Sequence, residues 1–157
     1  MRCLLLGGTG FIGPYVVRRL CDWEHEVTIF HRGSTISDMP PSAETVLGDL
    51  RNIDAHLHEL LKPPPDVMLY THPIGQDDVE NILSRFAGKI GRIVLLSSQD
   101  VYRAYGVLIG LEKGPLQELP IKERDDLRTS LYPYRKDADG VASPNNRVGA
   151  ILHLRKP

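Results

Sequence analysis

The chain has 157 residues, 41% hydrophobic and 25% charged, with a formal net charge of −1. That length suits one domain, and the near-neutral balance gives no reason to expect nucleic acid or an anionic membrane surface as a partner. No apolar run approaches a membrane span, and the run Cys3-Leu4-Leu5-Leu6 is broken at once by glycines, unlike a signal peptide. Cys3 and Cys21 form no Cys-x-x-Cys motif. They read as small buried hydrophobes rather than a disulfide, which points to a cytoplasmic setting.

A first strand is expected over about 2–7, leading into Gly7-Gly8-Thr9-Gly10-Phe11-Ile12-Gly13. A helix follows over about 12–22, with Ile12, Val16, Val17 and Leu20 on one face. Glu26–His31 reads as a strand, Thr45–Gly48 as a short strand, and Asp54–Leu61 as a helix stopped by Pro63-Pro64-Pro65. Asp66–Thr71 is a strand, and Asp77–Ala87 a helix with Val79, Ile82, Leu83 and Phe86 on one stripe. Arg92–Ser97 is a fifth strand. The strands are apolar throughout, as expected where helices cover both faces of a sheet. Strands alternating with helices predict an α/β fold with a doubly wound parallel sheet. Residues 103–130 read as a long loop with short helical pieces, Glu123-Arg124-Asp125-Asp126 as a solvated cluster, and Ala150-Ile151-Leu152 as a sixth strand.

Glycines placed where a buried strand turns into a helix are suited to hold a dinucleotide pyrophosphate. Gly7 permits the tight turn, Gly10 lets backbone approach the phosphates, and Gly13 lets helix and strand pack closely. The helix N-terminus presents N–H groups and a positive dipole end, and Pro14 suits its first turn. The plain alternative is a structural turn without a ligand. An NAD-preferring site places an acid at the end of the second strand, where this chain has His31-Arg32-Gly33. Arg32 suits a 2′-phosphate and favours NADP over NAD, with Ser34 and Thr35 as further donors. Otherwise Arg32 is an exposed loop arginine. His56 and His58 lie two apart on a predicted helix, face different ways, and suggest no metal.

The spacing Gly-x-x-Gly-x-x-Gly, with Thr9 and the Phe11-Ile12 pair, resembles the extended short-chain dehydrogenase/reductases, and within them the NAD-dependent epimerase/dehydratase family. The resemblance spans about residues 1–136. It implies a Rossmann-type NAD(P)-binding domain there, incomplete on its C-terminal side, with 137–157 as a divergent tail and no substrate domain. It places Gly7, Thr9, Gly10, Phe11, Ile12 and Gly13 at the cofactor. Asp49 would accept from the adenine amino group with Leu50 beside the ring, although an Asp there also suits a turn or helix cap. Thr71 and His72 would line the cleft near the nicotinamide ribose, with His72 bulkier than the family's usual small residue. Ser97 is counted with the cofactor positions.

Ser97-Ser98-Gln99-Asp100-Val101-Tyr102 resembles the family pattern in which Ser98 is the catalytic hydroxyl and Asp100 an acid or base. Ser98 also reads as a strand-end serine satisfying backbone groups. Tyr132 and Lys136 match the family's Tyr-x-x-x-Lys, with tyrosine as acid/base and lysine lowering its pKa from the same helix face. Pro133 then requires Tyr132 at the very start of the helix, and Gly140 ends it early. Tyr132-Pro133-Tyr134-Arg135 reads equally as a loop. The implied activity is that of an NAD(P)-dependent epimerase/dehydratase or reductase acting by hydride transfer on a nucleotide sugar or related carbonyl compound. The implied partners are the dinucleotide, a small-molecule substrate and a second copy paired through helices. The alternatives are a non-catalytic NADP-binding module and an inactive fragment of such an enzyme.

Overall fold

In a computed structural model of the chain, the described residues are 1–35, 37–73, 76–130, 132–133 and 147–148. The chain divides into two compact units, one of residues 1–73 and 80–96 and a second of 74–79 and 97–157.

The first unit is built on five parallel strands, β1 (Arg2–Leu6), β2 (Glu26–His31), β3 (Glu44–Leu47), β4 (Val67–Tyr70) and β5 (Arg92–Leu95). Their order is β3-β2-β1-β4-β5. β1 is therefore central, pairing Cys3 with Val27 on one side and Val67 on the other. This position accounts for its composition, since Leu4, Leu5 and Leu6 are at most 1% exposed. Successive side chains alternate faces. Cys3 and Leu5 join Val27, Ile29 and Val17 of α1 (Gly13–Asp22) in one core cluster, with Cys21 packed against it. Both cysteines are free, and burial pushes the Cys3 thiol above its ordinary value. They serve as small core residues, in line with the sequence reading.

Three elements differ from expectation. The helix expected over 54–61 is a 3-10 segment, Leu50–His56, followed by only one α-turn, α2 (Leu57–Leu60). Asp49 starts the segment early by accepting the Arg51 N–H at 2.9 Å, and Asn52 breaks it with a non-helical φ of −122°. Ile53 and Leu60 still bury their side chains. Second, Val94 in β5 and Leu96 just after it are 41% and 37% exposed rather than buried. Third, Tyr132–Pro133 is no helix start but a short strand, β6, paired antiparallel with β7 (Arg147–Val148). A residue preceding proline is pushed toward extended backbone, and Tyr132 follows that rule. Lys136 and the sixth strand expected at Ala150–Leu152 lie outside the described residues. The helix α3 (Gln76–Phe86) forms as expected, with Val79, Ile82 and Phe86 buried.

In the second unit, α4 (Arg103–Leu108) follows a 3-10 turn, Gln99–Val101. Residues 126–128 return to it. The Arg103 N–H donates to the Asp126 carbonyl at 2.9 Å, and the Arg128 N–H to the Val101 carbonyl at 2.9 Å. The Glu112 carboxylate accepts from the Ser130 N–H at 2.8 Å and from the Thr129 N–H and hydroxyl. Those bonds hold its pKa below the ordinary carboxylate value. Glu123 and Arg124 are exposed as expected, but the charged stretch ends in Arg128, whose side chain is fully buried and lies 3.9 Å from the carboxylate of buried Asp100.

Two stability outcomes follow from these cores. Leu5→Ala removes a side chain that is 0% exposed. It should cost about 3 kcal/mol, read as a lower urea midpoint with unchanged slope; a loss under about 1 kcal/mol would contradict the packing described. Arg128→Ala should remove the ion-pair partner of buried Asp100 together with a fully buried side chain, and destabilise the second unit by about 3 kcal/mol. Native-state hydrogen exchange should then show lost protection at the amides of Arg103 and residue 128, and retained protection there would refute the assignment.

Candidate functional site

At the C-terminal end of β1 the chain turns through Gly7 and Gly8, whose φ angles of 85° and 100° are left-handed and disfavour side-chain-bearing residues. The turn is held from both neighbouring strands. The Gly7 N–H donates to the Phe30 carbonyl at 2.8 Å, while Thr71 sends both its N–H, at 3.1 Å, and its hydroxyl, at 3.0 Å, to the Leu6 carbonyl. A Cβ at Gly7 would stand 2.5 Å from the Thr71 hydroxyl, and one at Gly13 would overlap the Gly8 carbonyl. Gly13 therefore brings α1 against the turn itself rather than against the strand, a refinement of the expected packing. Around Gly10 a Cβ would meet nothing within 4 Å.

This geometry brings the start of α1 to the end of β1, at the point where strand order reverses between β1 and β4. Its N-cap residue, Ile12, makes no side-chain cap hydrogen bond, and Pro14 lies in the first turn. The first-turn N–H groups thus remain available to an anion, with the dipole adding to the attraction. Phe11 is 91% exposed beside them, Ile12 is exposed, Thr71 is half-buried and His72 is exposed. The residues fit a dinucleotide pyrophosphate: side-chain atoms are excluded where backbone must approach it.

The ends of β2 and β3 form the next part of the site. Their register pairs His31 with Leu47, and the Gly48 N–H donates to the His31 carbonyl at 2.9 Å. His31 Nδ1 accepts the Gly33 N–H at 3.0 Å, and burial holds the ring pKa below its ordinary value. The left-handed Gly33 follows exposed Arg32. A Cβ at Gly48 would strike the rings of Phe30 and His56, which are tilted together with centroids 5.2 Å apart. The Asp49 carboxylate that follows is gripped by Arg51, Nε to Oδ1 at 3.1 Å and Nη2 to Oδ2 at 2.6 Å. These bonds hold the Asp49 carboxyl well below the ordinary carboxylate range, with a smaller contribution from the nearby Arg32 charge. Leu50 is half-buried beside it. Asp49 thus has the capping role considered from the sequence, and Arg51 is a contact the sequence reading missed. Its signal was the local order Asp-Leu-Arg, in which a cation two residues on can reach back to the carboxylate.

Within the second unit, Ser97 and Ser98 are exposed. The Ser98 hydroxyl caps the Gln99–Val101 turn by accepting the Asp100 N–H at 3.4 Å. A hydroxyl that accepts still has its own proton to donate. Asp100 is only 7% exposed and faces Arg128. That pair gives Asp100 a structural partner beside the acid/base role that the resemblance implies. Tyr132 has extended backbone, and Lys136 lies outside the described residues. Among the described residues, no cluster of His, Cys, Asp and Glu could hold a metal ion, and no helix is long and apolar enough to cross a membrane.

The sequence model of the NAD dependent epimerase/dehydratase family matches residues 3–84, which include the glycine turn, Arg32, Asp49 and Thr71. No curated protein matches the chain. Among solved structures, the Bordetella bronchiseptica enzyme WbmG in complex with NAD and UDP is similar at a TM-score of 0.61 and 14% identity, over 82% of this chain and 44% of that one. A UDP-galactose 4-epimerase is similar at 0.52 and 24% identity, over 65% and 39%. The UDP-Glc/GlcNAc 4-epimerase of Campylobacter jejuni is similar at 0.56 and 14% identity, over 64% and 38%. At such identities the likeness is one of fold, and the chain spans less than half the length of each of these structures. With just over half of its 157 residues matched by the family's own sequence pattern, and with that family's parallel sheet and glycine turn in place, the chain belongs to the NAD dependent epimerase/dehydratase family.

Proposed function

We propose that the sheet unit binds a dinucleotide, NADP in preference to NAD, for an epimerase/dehydratase or reductase reaction on a nucleotide sugar or related carbonyl compound. The observation that carries the reading is the packing of Gly13 against Gly8, which seats an uncapped helix N-terminus at the end of the central strand. Backbone N–H groups there bind the pyrophosphate, and Arg32 takes the 2′-phosphate. The names of two similar structures, a UDP-galactose 4-epimerase and an enzyme solved with NAD and UDP, support the substrate class. When bound, the nicotinamide supplies the hydride acceptor and donor. The exposed Ser98 hydroxyl donates a hydrogen bond to the reacting carbonyl or hydroxyl of the substrate. Thr71 holds the shape of the cleft by fixing the Leu6 carbonyl.

A second reading is a non-catalytic NADP-binding module. The extended backbone at Tyr132 favours it, because the acid/base tyrosine and its lysine partner need a common helix face.

Calorimetric titration with NADPH and NADH checks the binding claim. NADPH should bind about tenfold more tightly, a difference of about 1.4 kcal/mol, and binding of neither would end both readings. Gly10→Ala separates a ligand-binding turn from a purely structural one. Because its Cβ meets no protein atom within 4 Å, the variant should keep its thermal midpoint. It should nevertheless lose about tenfold in NADPH affinity as the methyl blocks phosphate approach. Unchanged affinity would mean that the pyrophosphate lies elsewhere.

A further inference from the structure

Arg51 bears on which dinucleotide the site accepts, a point that rests on the NADP preference proposed above. Parallel pairing of His31 with Leu47 sends Arg32 and Asp49 out from adjacent strand ends, one and two residues beyond the paired positions. A carboxylate in that place opposes a 2′-phosphate, which carries between one and two negative charges near neutral pH, by direct repulsion. It also neutralises Arg32, the cation meant to hold that phosphate. Asp49 is not bare, however. Arg51 engages both its oxygens in a fork, at 3.1 Å and 2.6 Å, and adds its backbone N–H at 2.9 Å. The two partners differ in exposure: the Arg51 side chain is 82% exposed and that of Asp49 is 30%. Of the five N–H donors of a guanidinium, two are spent on the carboxylate and three remain for a ligand.

We infer that Arg51 is a second determinant of cofactor choice: by masking Asp49 and adding its own charge, it makes the paired ends of β2 and β3 a two-arginine site for the 2′-phosphate of NADP. Arg32 and Arg51 together outnumber the single carboxylate between them. The Asp49 carboxylate keeps a fixed direction as part of the fork, so that it caps the 3-10 segment and accepts from adenine without facing the phosphate as a free charge. Arginine serves this better than lysine, because its planar fork covers both oxygens at once.

The test compares NADPH and NADH titrations of the unaltered chain, Arg51→Ala, Arg51→Lys and the double variant Asp49→Asn/Arg51→Ala, after urea midpoints show that all four fold. Arg51→Ala should weaken NADPH about tenfold while leaving NADH unchanged or tighter. Arg51→Lys should fall in between. Adding Asp49→Asn should recover several-fold of the lost NADPH affinity, because the charge that needed masking is gone. Equal losses for both cofactors, or none, would overturn the role of Arg51 alone and make the fork a purely structural cap. An unaltered chain that binds NADPH no better than NADH would overturn the NADP preference itself. The Asp49 carboxyl pKa, followed by NMR without cofactor, gives an independent reading of the fork. It should rise on Arg51→Ala, and a carboxyl that stays where it was would show that Arg51 does not mask it.

Discussion

The exit from β1 is the constraint on which the sheet unit depends. The chain must leave a strand buried between two others, turn, and start a helix without stranding a backbone donor or acceptor in the core. Gly7 solves the first part by donating to β2 at Phe30, and Thr71 solves the second by placing two donors on the Leu6 carbonyl from the β4 side. Thr71 leaves no room for a side chain at Gly7, and the approach of α1 to Gly8 leaves none at Gly13. The turn is therefore lined by main chain. That follows from packing alone, yet a surface of backbone N–H groups at a helix start is also what a pyrophosphate requires. Structural need and binding capacity coincide at this turn, which is why its glycines can be read either way from sequence.

Next to that turn, the cofactor preference proposed here rests on the charges at the strand ends. In an NAD-type site the acid sits at the end of β2 and bonds the ribose hydroxyls. Here the end of β2 carries Arg32, and the acid lies one strand over, at Asp49. Moving the carboxylate across the ladder does not remove its field, since Arg32 still acts on it. The Arg51 fork engages both oxygens of that carboxylate. Pairing at the surface contributes little to stability. Its consequence lies instead in local charge and in the fixed direction of the carboxylate.

Legibility followed the range of the interactions. The Glu26–His31 strand, the apolar stripe of α3 and the glycine turn are written in residues close together in sequence, and all formed as read. The 54–61 helix failed because Asp49 and Asn52, local but not periodic, shift and break the segment that hydrophobic spacing alone suggested. At Tyr132 the backbone is extended, in keeping with the steric bias of the adjacent Pro133 and with the non-helical alternative that the sequence left open there. The exposure of Val94 and Leu96 had no local signature, since an apolar strand reads the same whether or not anything covers it.

The two Asp–Arg pairs show how burial divides similar chemistry into different roles. Asp49 and Arg51 are close neighbours in sequence, the first half-buried and the second exposed, so their pair lies at the surface. Asp100 and Arg128 come from distant parts of the second unit and are buried, so their pairing belongs to the packing of that unit. The Asp100 N–H also engages the Ser98 hydroxyl, so the packing around the buried pair supports the 3-10 turn that carries this serine, whereas the surface pair is tied to the short segment that it caps.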